Sequence, residues 1–179
     1  MSTQKSNRPT PELLEELLDA NQPSKVLELL KQVKTKDCAM RFLEGEAHRQ
    51  LGSFEEAIAS YAKALAICED AEGRMDALLA LAACYRTLGH SAAAYEMADE
   101  SLQMANELEM DDYAVRSMQE MGMALRAWGR LEEALDMLDV VLSYYEQQKD
   151  WAGMSFICWA KGGIFRLQGH FEDGIRQFK

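Results

Sequence analysis

The chain has 179 residues, enough for one domain with a sizeable core, and its 48% apolar and 27% charged residues are the balance of a globular protein. A formal charge of -11 repels phosphate backbones and anionic bilayers, so neither nucleic acid nor a membrane surface is an expected partner. The longest apolar run, residues 77–85, is too short to span a bilayer, and the polar start "MSTQKSNRPTPE" lacks the apolar core of an export signal, so the expected location is cytoplasmic.

Residues 1–9 are polar with no apolar partner and read as a disordered tail. Thr10 then reads as a helix cap with Pro11 at the first helical position. "PELLEELLDA" and "SKVLELLKQV" flank "NQP", which predicts a helical hairpin over 10–35 with Leu14, Leu17, Leu18, Val26, Leu29, Leu30 and Val33 on its apolar faces. Its polar faces suit an N-terminal cap or a degenerate first repeat. From Ser24 onward there is no proline, strand-type alternation is hard to find, and Ala, Leu, Met and Glu abound, so the chain is expected to be all-α. Helix pairs are predicted over 37–51 with 54–69, 73–88 with 91–108, 111–128 with 131–147, and 150–168 with 171–179. Ser53-Phe54-Glu55-Glu56 reads as a capping box. Glu132-Glu133 and Glu172-Asp173 fall in the same first turn, where acids complement the helix dipole, so paired carboxylates read as structural rather than as acid/base groups.

Glycines at 52, 89, 129 and 169 are separated by 37, 40 and 40 residues, and the sequence around them is self-similar: "RQLGSFEEAI", "RTLGHSAAAY", "RAWGRLEEAL", "RLQGHFEDGI". Seven residues before each glycine stands a small residue (Gly45, Ala82, Gly122, Gly162) and five after it another (Ala57, Ala94, Ala134, Gly174). Small residues at both places let two antiparallel helices approach closely. Four residues further, Tyr61, Ala98, Leu138 and Phe178 are placed to fill the gap to a neighbouring repeat.

This pattern resembles the tetratricopeptide repeat, best matched from Gly45 to Leu65 and again at Leu81, Ala82 and Tyr85. The resemblance covers residues 37–179 as four repeats, 37–72, 73–110, 111–149 and 150–179, the last incomplete. It implies a solenoid of antiparallel helix hairpins, a right-handed α-α superhelix whose first helices line a concave groove. The family's early Trp is replaced by Arg41, Leu78, Met118 and Cys158, and its closing Pro by Glu69, Asn106 and Glu146. Without that proline the second helix can run on, so hairpins longer than the family's ~34-residue unit are expected.

Catalytic chemistry is not signalled. No phosphate-binding glycine loop, nucleophile elbow or HExxH occurs, and neither an enzymatic activity nor a cofactor is expected. His90 and His170 follow turn glycines as loop residues, and His48 reads as a packed residue, so no metal site is expected. Cys38, Cys68, Cys84 and Cys158 match no metal or CxxC spacing and read as buried small residues in a reduced compartment.

One feature rises above the scaffold: Arg49, Arg86, Arg126 and Arg166 each stand three residues before a turn glycine. The helix face each one continues carries Phe42, Gln119, Phe156 and Trp159 among others. The resemblance makes this the groove face. Dipole and cap effects account for a cation at a helix end, but Arg rather than Lys at all four places suits bidentate capture of carboxylates.

The expected function is a non-enzymatic scaffold holding a protein or peptide, with acidic groups, in the groove. The alternative is a regulatory or sensor module of a larger signalling enzyme or transcription regulator whose effector domain lies outside this chain. Phe171, Ile175 and Phe178 stand on a short final helix with little behind them, which predicts either a fragment of a longer array or self-association through residues 150–179.

Overall fold

The computed structural model describes residues 9–177, so residues 1–8 of the expected tail, and Phe178, lie outside the described residues. Pro9, assigned to that tail, is buried. Ten helices and no strand occur among the described residues: α1 (Pro11–Asp19), α2 (Pro23–Lys31), α3 (Cys38–Gln50), α4 (Phe54–Ile67), α5 (Ala71–Thr87), α6 (Ser91–Glu107), α7 (Asp111–Trp128), α8 (Leu131–Gln148), α9 (Trp151–Gln168) and α10 (Phe171–Arg176). Among second helices α6 and α8 run on to 17 and 18 residues without the closing proline, whereas α4, which lacks it too, stops after 14.

The turns explain the period. Gly52, Gly89, Gly129 and Gly169 all take positive φ, between 75° and 84°. In each turn the next residue's N–H returns to a carbonyl in the last turn of the preceding helix: Ser53 to His48, His90 to Tyr85, Arg130 to Leu125 and His170 to Phe165, at 2.8–3.0 Å. This is the Schellman closure. The same bond closes three further turns, Gln22 to Leu17, Met110 to Ala105 and Asp150 to Tyr145, with Asn21, Glu109 and Lys149 in the left-handed position.

The capping box at Ser53 does not form. Thr10 and Asp37, at ψ of 154° and -178°, accept side-chain cap bonds, whereas Ser53 at ψ 71° makes none. Its backbone N–H closes the preceding helix, and its ψ of 71° departs from the extended backbone of Thr10 and Asp37.

The chain divides into two compact units, the first ending at Cys84 and the second beginning at Tyr85, within α5. In the first, α1 and α2 pack against α3 around Leu14, Leu17, Leu18, Val26, Leu30, Met40, Leu43 and Ala47. Burying each such Leu contributes about 1.5–3 kcal/mol. The α3–α4 hairpin closes on Gly45, where an added Cβ would stand 2.5 Å from the Tyr61 ring. Tyr61 therefore fills the space above the small residue of its own hairpin, with its hydroxyl on Glu46.

Cys38 and Cys68 are joined by a disulfide, Cα–Cα 5.2 Å, which corrects the reading of all four cysteines as isolated buried residues. The antiparallel hairpin brings the first residue of α3 and the residue after α4 together, so their spacing of 30 measures a hairpin rather than a local motif. Cys84 is a buried thiol and Cys158 a half-buried one.

In the second unit α6 packs on α7, α7 on α8, α8 on α9 and α9 on α10. Val115, Met123, Leu125, Ala134, Leu138, Val141, Ile157, Ala160 and Ile164 form its core. Gly122 repeats the Gly45 crossing, with an added Cβ 2.9 Å from Leu138. Ser117 and Ser101, both fully buried, satisfy each other at 2.8 Å between α7 and α6.

Candidate functional site

The arginines share a backbone place and no common side-chain role. The carbonyl of each accepts the N–H of its turn glycine at 3.0–3.2 Å, which fixes where the side chain leaves the helix. In the first unit Arg49 is held by Glu46 one turn back, Nε to Oε1 at 3.1 Å. Glu46 also accepts the Tyr61 hydroxyl. Hydrogen bonding to Glu46 holds the Arg49 guanidinium even more firmly protonated than usual. Arg49 is thus occupied within its own helix.

The second unit brings three of the arginines near one another. Arg86 reaches Glu120 of α7, with Nε and Nη2 both 3.4 Å from one carboxylate oxygen. Burial pushes the Glu120 carboxyl above its ordinary range, against the opposing pull of Arg86 and Arg116. Arg126 lies over the Trp159 ring of α9, guanidinium carbon to centroid 5.4 Å. Its Nε is buried and has no hydrogen-bond partner. An added Cβ at Gly163 would come 2.9 Å from Arg126 Nη2, so that glycine is what lets the guanidinium lie against α9. Burial, then the like charges of Arg86 and Arg166, make the Arg126 cation less favourable than a free guanidinium. Arg166 is exposed in the last turn of α9.

Phe156 and Trp159 stack tilted, ring centroids 5.7 Å apart, and both are exposed. Gln119, half-buried, accepts the Tyr145 hydroxyl at 3.0 Å, so its carbonyl is engaged by α8. The surface formed by Arg126, Arg166, Trp159 and Phe156 combines an under-satisfied cation with exposed aromatic area. A carboxylate reaching the outer guanidinium nitrogens of Arg126 would screen the repulsion from its neighbours, while the buried Nε lies out of its reach.

Phe42, in the first unit, lies 5.4 Å from the Tyr61 ring and lines a recess of about 360 Å³ with Ala39, Leu43, Cys38 and Gly73. Glu15, Asp70, Glu72 and Asp76 surround it. This acidic recess differs in chemistry from the arginine surface. A second crevice, about 660 Å³, lies beside the Gly89 turn between Tyr85, His90 and Trp128, with Arg130 over the Trp128 ring at 5.1 Å.

Sequence reasoning missed Glu120 and the Cys38–Cys68 pair, and it placed Gly163 on the groove face without the close approach of Arg126 to it. The doubled glycine at 162–163 was a usable signal, since only Gly162 is needed by the repeat. Glu120 carried none, being one acid in a protein with 30. Among the described residues no group of three or more His, Cys, Asp or Glu is placed to hold a metal ion. No helix among them is long and apolar enough to cross a membrane.

The family profile for the tetratricopeptide repeat matches residues 37–107 and 73–147. No curated protein matches the chain. Among solved structures, nearly identical TPR-like repeats of a putative kinesin light chain from Podosopora anserina are similar at TM-score 0.73 and 18% identity, over 94% of this chain and 89% of that one. A Rap protein complexed with Competence and Sporulation Factor is similar at TM-score 0.78 and 17% identity, over 93% of this chain and 48% of that one. The Rap conjugation gene regulator of plasmid pLS20, in complex with the Phr* peptide, is similar at TM-score 0.72 and 13% identity, over 95% and 63%. The chain therefore spans about half the length of the first Rap protein and under two thirds of the second.

Proposed function

Because the chain belongs to the tetratricopeptide repeat family, with an all-α solenoid fold of antiparallel helix hairpins, we propose that it is a non-enzymatic scaffold binding a peptide or partner helix through the groove face of its first helices. One Rap protein of similar fold is complexed with Competence and Sporulation Factor and another with the Phr* peptide, which supports a protein or peptide as the partner class. The observation that carries the reading is Arg126: a stacked guanidinium with a buried, unpartnered Nε beside exposed Trp159 and Phe156. A partner with acidic groups next to an apolar side chain complements that surface. Arg86 and Gln119 flank it but are already engaged, and Phe42 is a separate apolar contact in the first unit. We infer a cytoplasmic location, and the charge of -11 disfavours nucleic acid and an anionic bilayer as partners.

The test is selection from a peptide library on the full chain, followed by titration of the best ligands. Acidic peptides carrying an apolar anchor are expected, with binding weakened by salt. Arg126→Ala should weaken binding by about 1.5–3 kcal/mol, whereas Arg49→Ala should change it little. Selection of basic or uncharged peptides, or indifference to Arg126→Ala, overturns the reading.

The second reading is a regulatory module of a larger protein. It is favoured by the similarity to a conjugation gene regulator, of which this chain covers 63%. A further domain encoded in the same reading frame would support it.

A further inference from the structure

We propose that the Cys38–Cys68 disulfide is a reducible clasp that sets the order of the α4–α5 connection and of the recess beside it. In the two repeats that follow, the connections that leave the second helix are closed by a backbone bond from the residue after a left-handed position: Met110 to Ala105 and Asp150 to Tyr145. Residues 68–70 carry no such bond and no left-handed residue. Cys68 leaves α4 with extended backbone, φ -67° and ψ 127°. The covalent link to Cys38 stands where the hydrogen-bonded turn stands in the later repeats.

Three chain segments meet at this bond. Asp37 caps α3 through the Met40 N–H at 3.0 Å, holding Cys38 at the helix start. Asp70 accepts the Gly73 N–H at 2.6 Å, holding the start of α5. An added Cβ at Gly73 would stand 2.9 Å from Cys68 Sγ, so α5 begins in contact with the disulfide. Cys38, Ala39 and Phe42 form one wall of the recess, and Gly73 and Asp76 belong to the start of α5 that faces it. Opening the bond removes the covalent cross-link between the start of α3 and the segment that leads into α5.

Cys38 is half-buried and Cys68 buried, so Cys38 Sγ is the sulfur open to attack. The reductant is a dithiol. Its thiolate attacks Cys38 Sγ, the disulfide breaks, and Cys68 leaves as a thiolate that takes up a proton. The dithiol's second thiolate then resolves the mixed disulfide, releasing Cys38 as a thiol and leaving the reductant as its own disulfide, with two electrons and two protons transferred. In a cytoplasmic protein a disulfide of this kind is redox-responsive rather than permanent. The proposal is independent of which partner the scaffold holds.

The test uses the full chain, oxidised with glutathione disulfide and then treated with dithiothreitol without denaturant. Alkylation in denaturant after the reductant has been removed, followed by intact mass, should count two thiols before reduction and four after it, since Cys84 and Cys158 are thiols throughout. Amide exchange over 68–76 should rise by at least about tenfold on reduction. A Cys38→Ser/Cys68→Ser double variant should exchange at the reduced rate with or without dithiothreitol, and a Cys84→Ser/Cys158→Ser variant should keep the full response. Four thiols after oxidation, a bond that resists dithiothreitol in the folded chain, or equal exchange over 68–76 in both states each overturns the proposal.

Discussion

Gly45 and Gly163 have opposite tolerances, because what lies above them differs. An added Cβ at Gly45 meets three atoms of the fully buried Tyr61 ring at 2.5–2.9 Å, and that ring cannot withdraw without opening the hairpin. Gly45→Ala should cost about 1–3 kcal/mol in chemical denaturation. At Gly163 the nearest atom is the far end of a flexible side chain, Arg126 Nη2. Gly163→Ala should therefore fold at least as stably, gaining up to about 1 kcal/mol of helix propensity. The same change should displace Arg126 from Trp159, seen as altered tryptophan fluorescence and weaker capture of acidic peptides. Glu120 sets a pH dependence. Its carboxyl is raised by burial, so the folded chain holds this proton more tightly than the unfolded one, and its contribution to stability falls as pH rises above the ordinary carboxylate range. Glu120→Gln removes that loss. The variant's advantage over the parent should grow between about pH 4.5 and pH 7, and denaturation midpoints at the two pH values check it.

At the scale of the helix and its turn, one closure recurs with and without glycine. Glu109 and Lys149 occupy the left-handed position at φ 56° and 57°, where a Cβ crowds the following carbonyl. Replacing either by Gly should stabilise the chain by about 1 kcal/mol, read as a higher thermal midpoint. Gly129→Ala, at φ 84°, should do the reverse by a similar amount. The recurrence also accounts for the long period. Where the family ends its second helix with proline, α6 and α8 run 17 and 18 residues until a left-handed residue stops them.

Across the whole molecule, the second unit leaves apolar area exposed on its last two helices: Leu167 at 56%, Phe171 at 64% and Ile175 at 57%. Such a face invites an apolar partner, and a second copy carries the same face. Self-association through residues 150–179 is the expected outcome, with mass rising with concentration in sedimentation or light scattering. Phe171→Asp with Ile175→Asp should return the chain to a monomer without disturbing α1 to α8. A parent chain that stays monomeric at high concentration removes this expectation.

The helices were legible in the sequence because their signals are local. Gly129 with its neighbours ends α7 where the spacing predicts, and Thr10 with Pro11 starts α1, since caps and left-handed turns depend on a few adjacent residues. The small-residue register at Gly45, Ala57, Gly122 and Ala134 was legible too, because close helix approach leaves a periodic mark. What each arginine touches was not. Arg49, Arg86, Arg126 and Arg166 stand at one repeat position, yet one is held by Glu46, one by Glu120, one lies on Trp159 and one is exposed. Those differences come from a residue one turn back or from residues 33 and 34 positions away, the latter brought within reach only when helices pack. The disulfide is of the same kind: Cys38 and Cys68 meet because a hairpin folds back on itself. Local chemistry determined where each helix runs, and tertiary packing alone decided which long side chains meet across it.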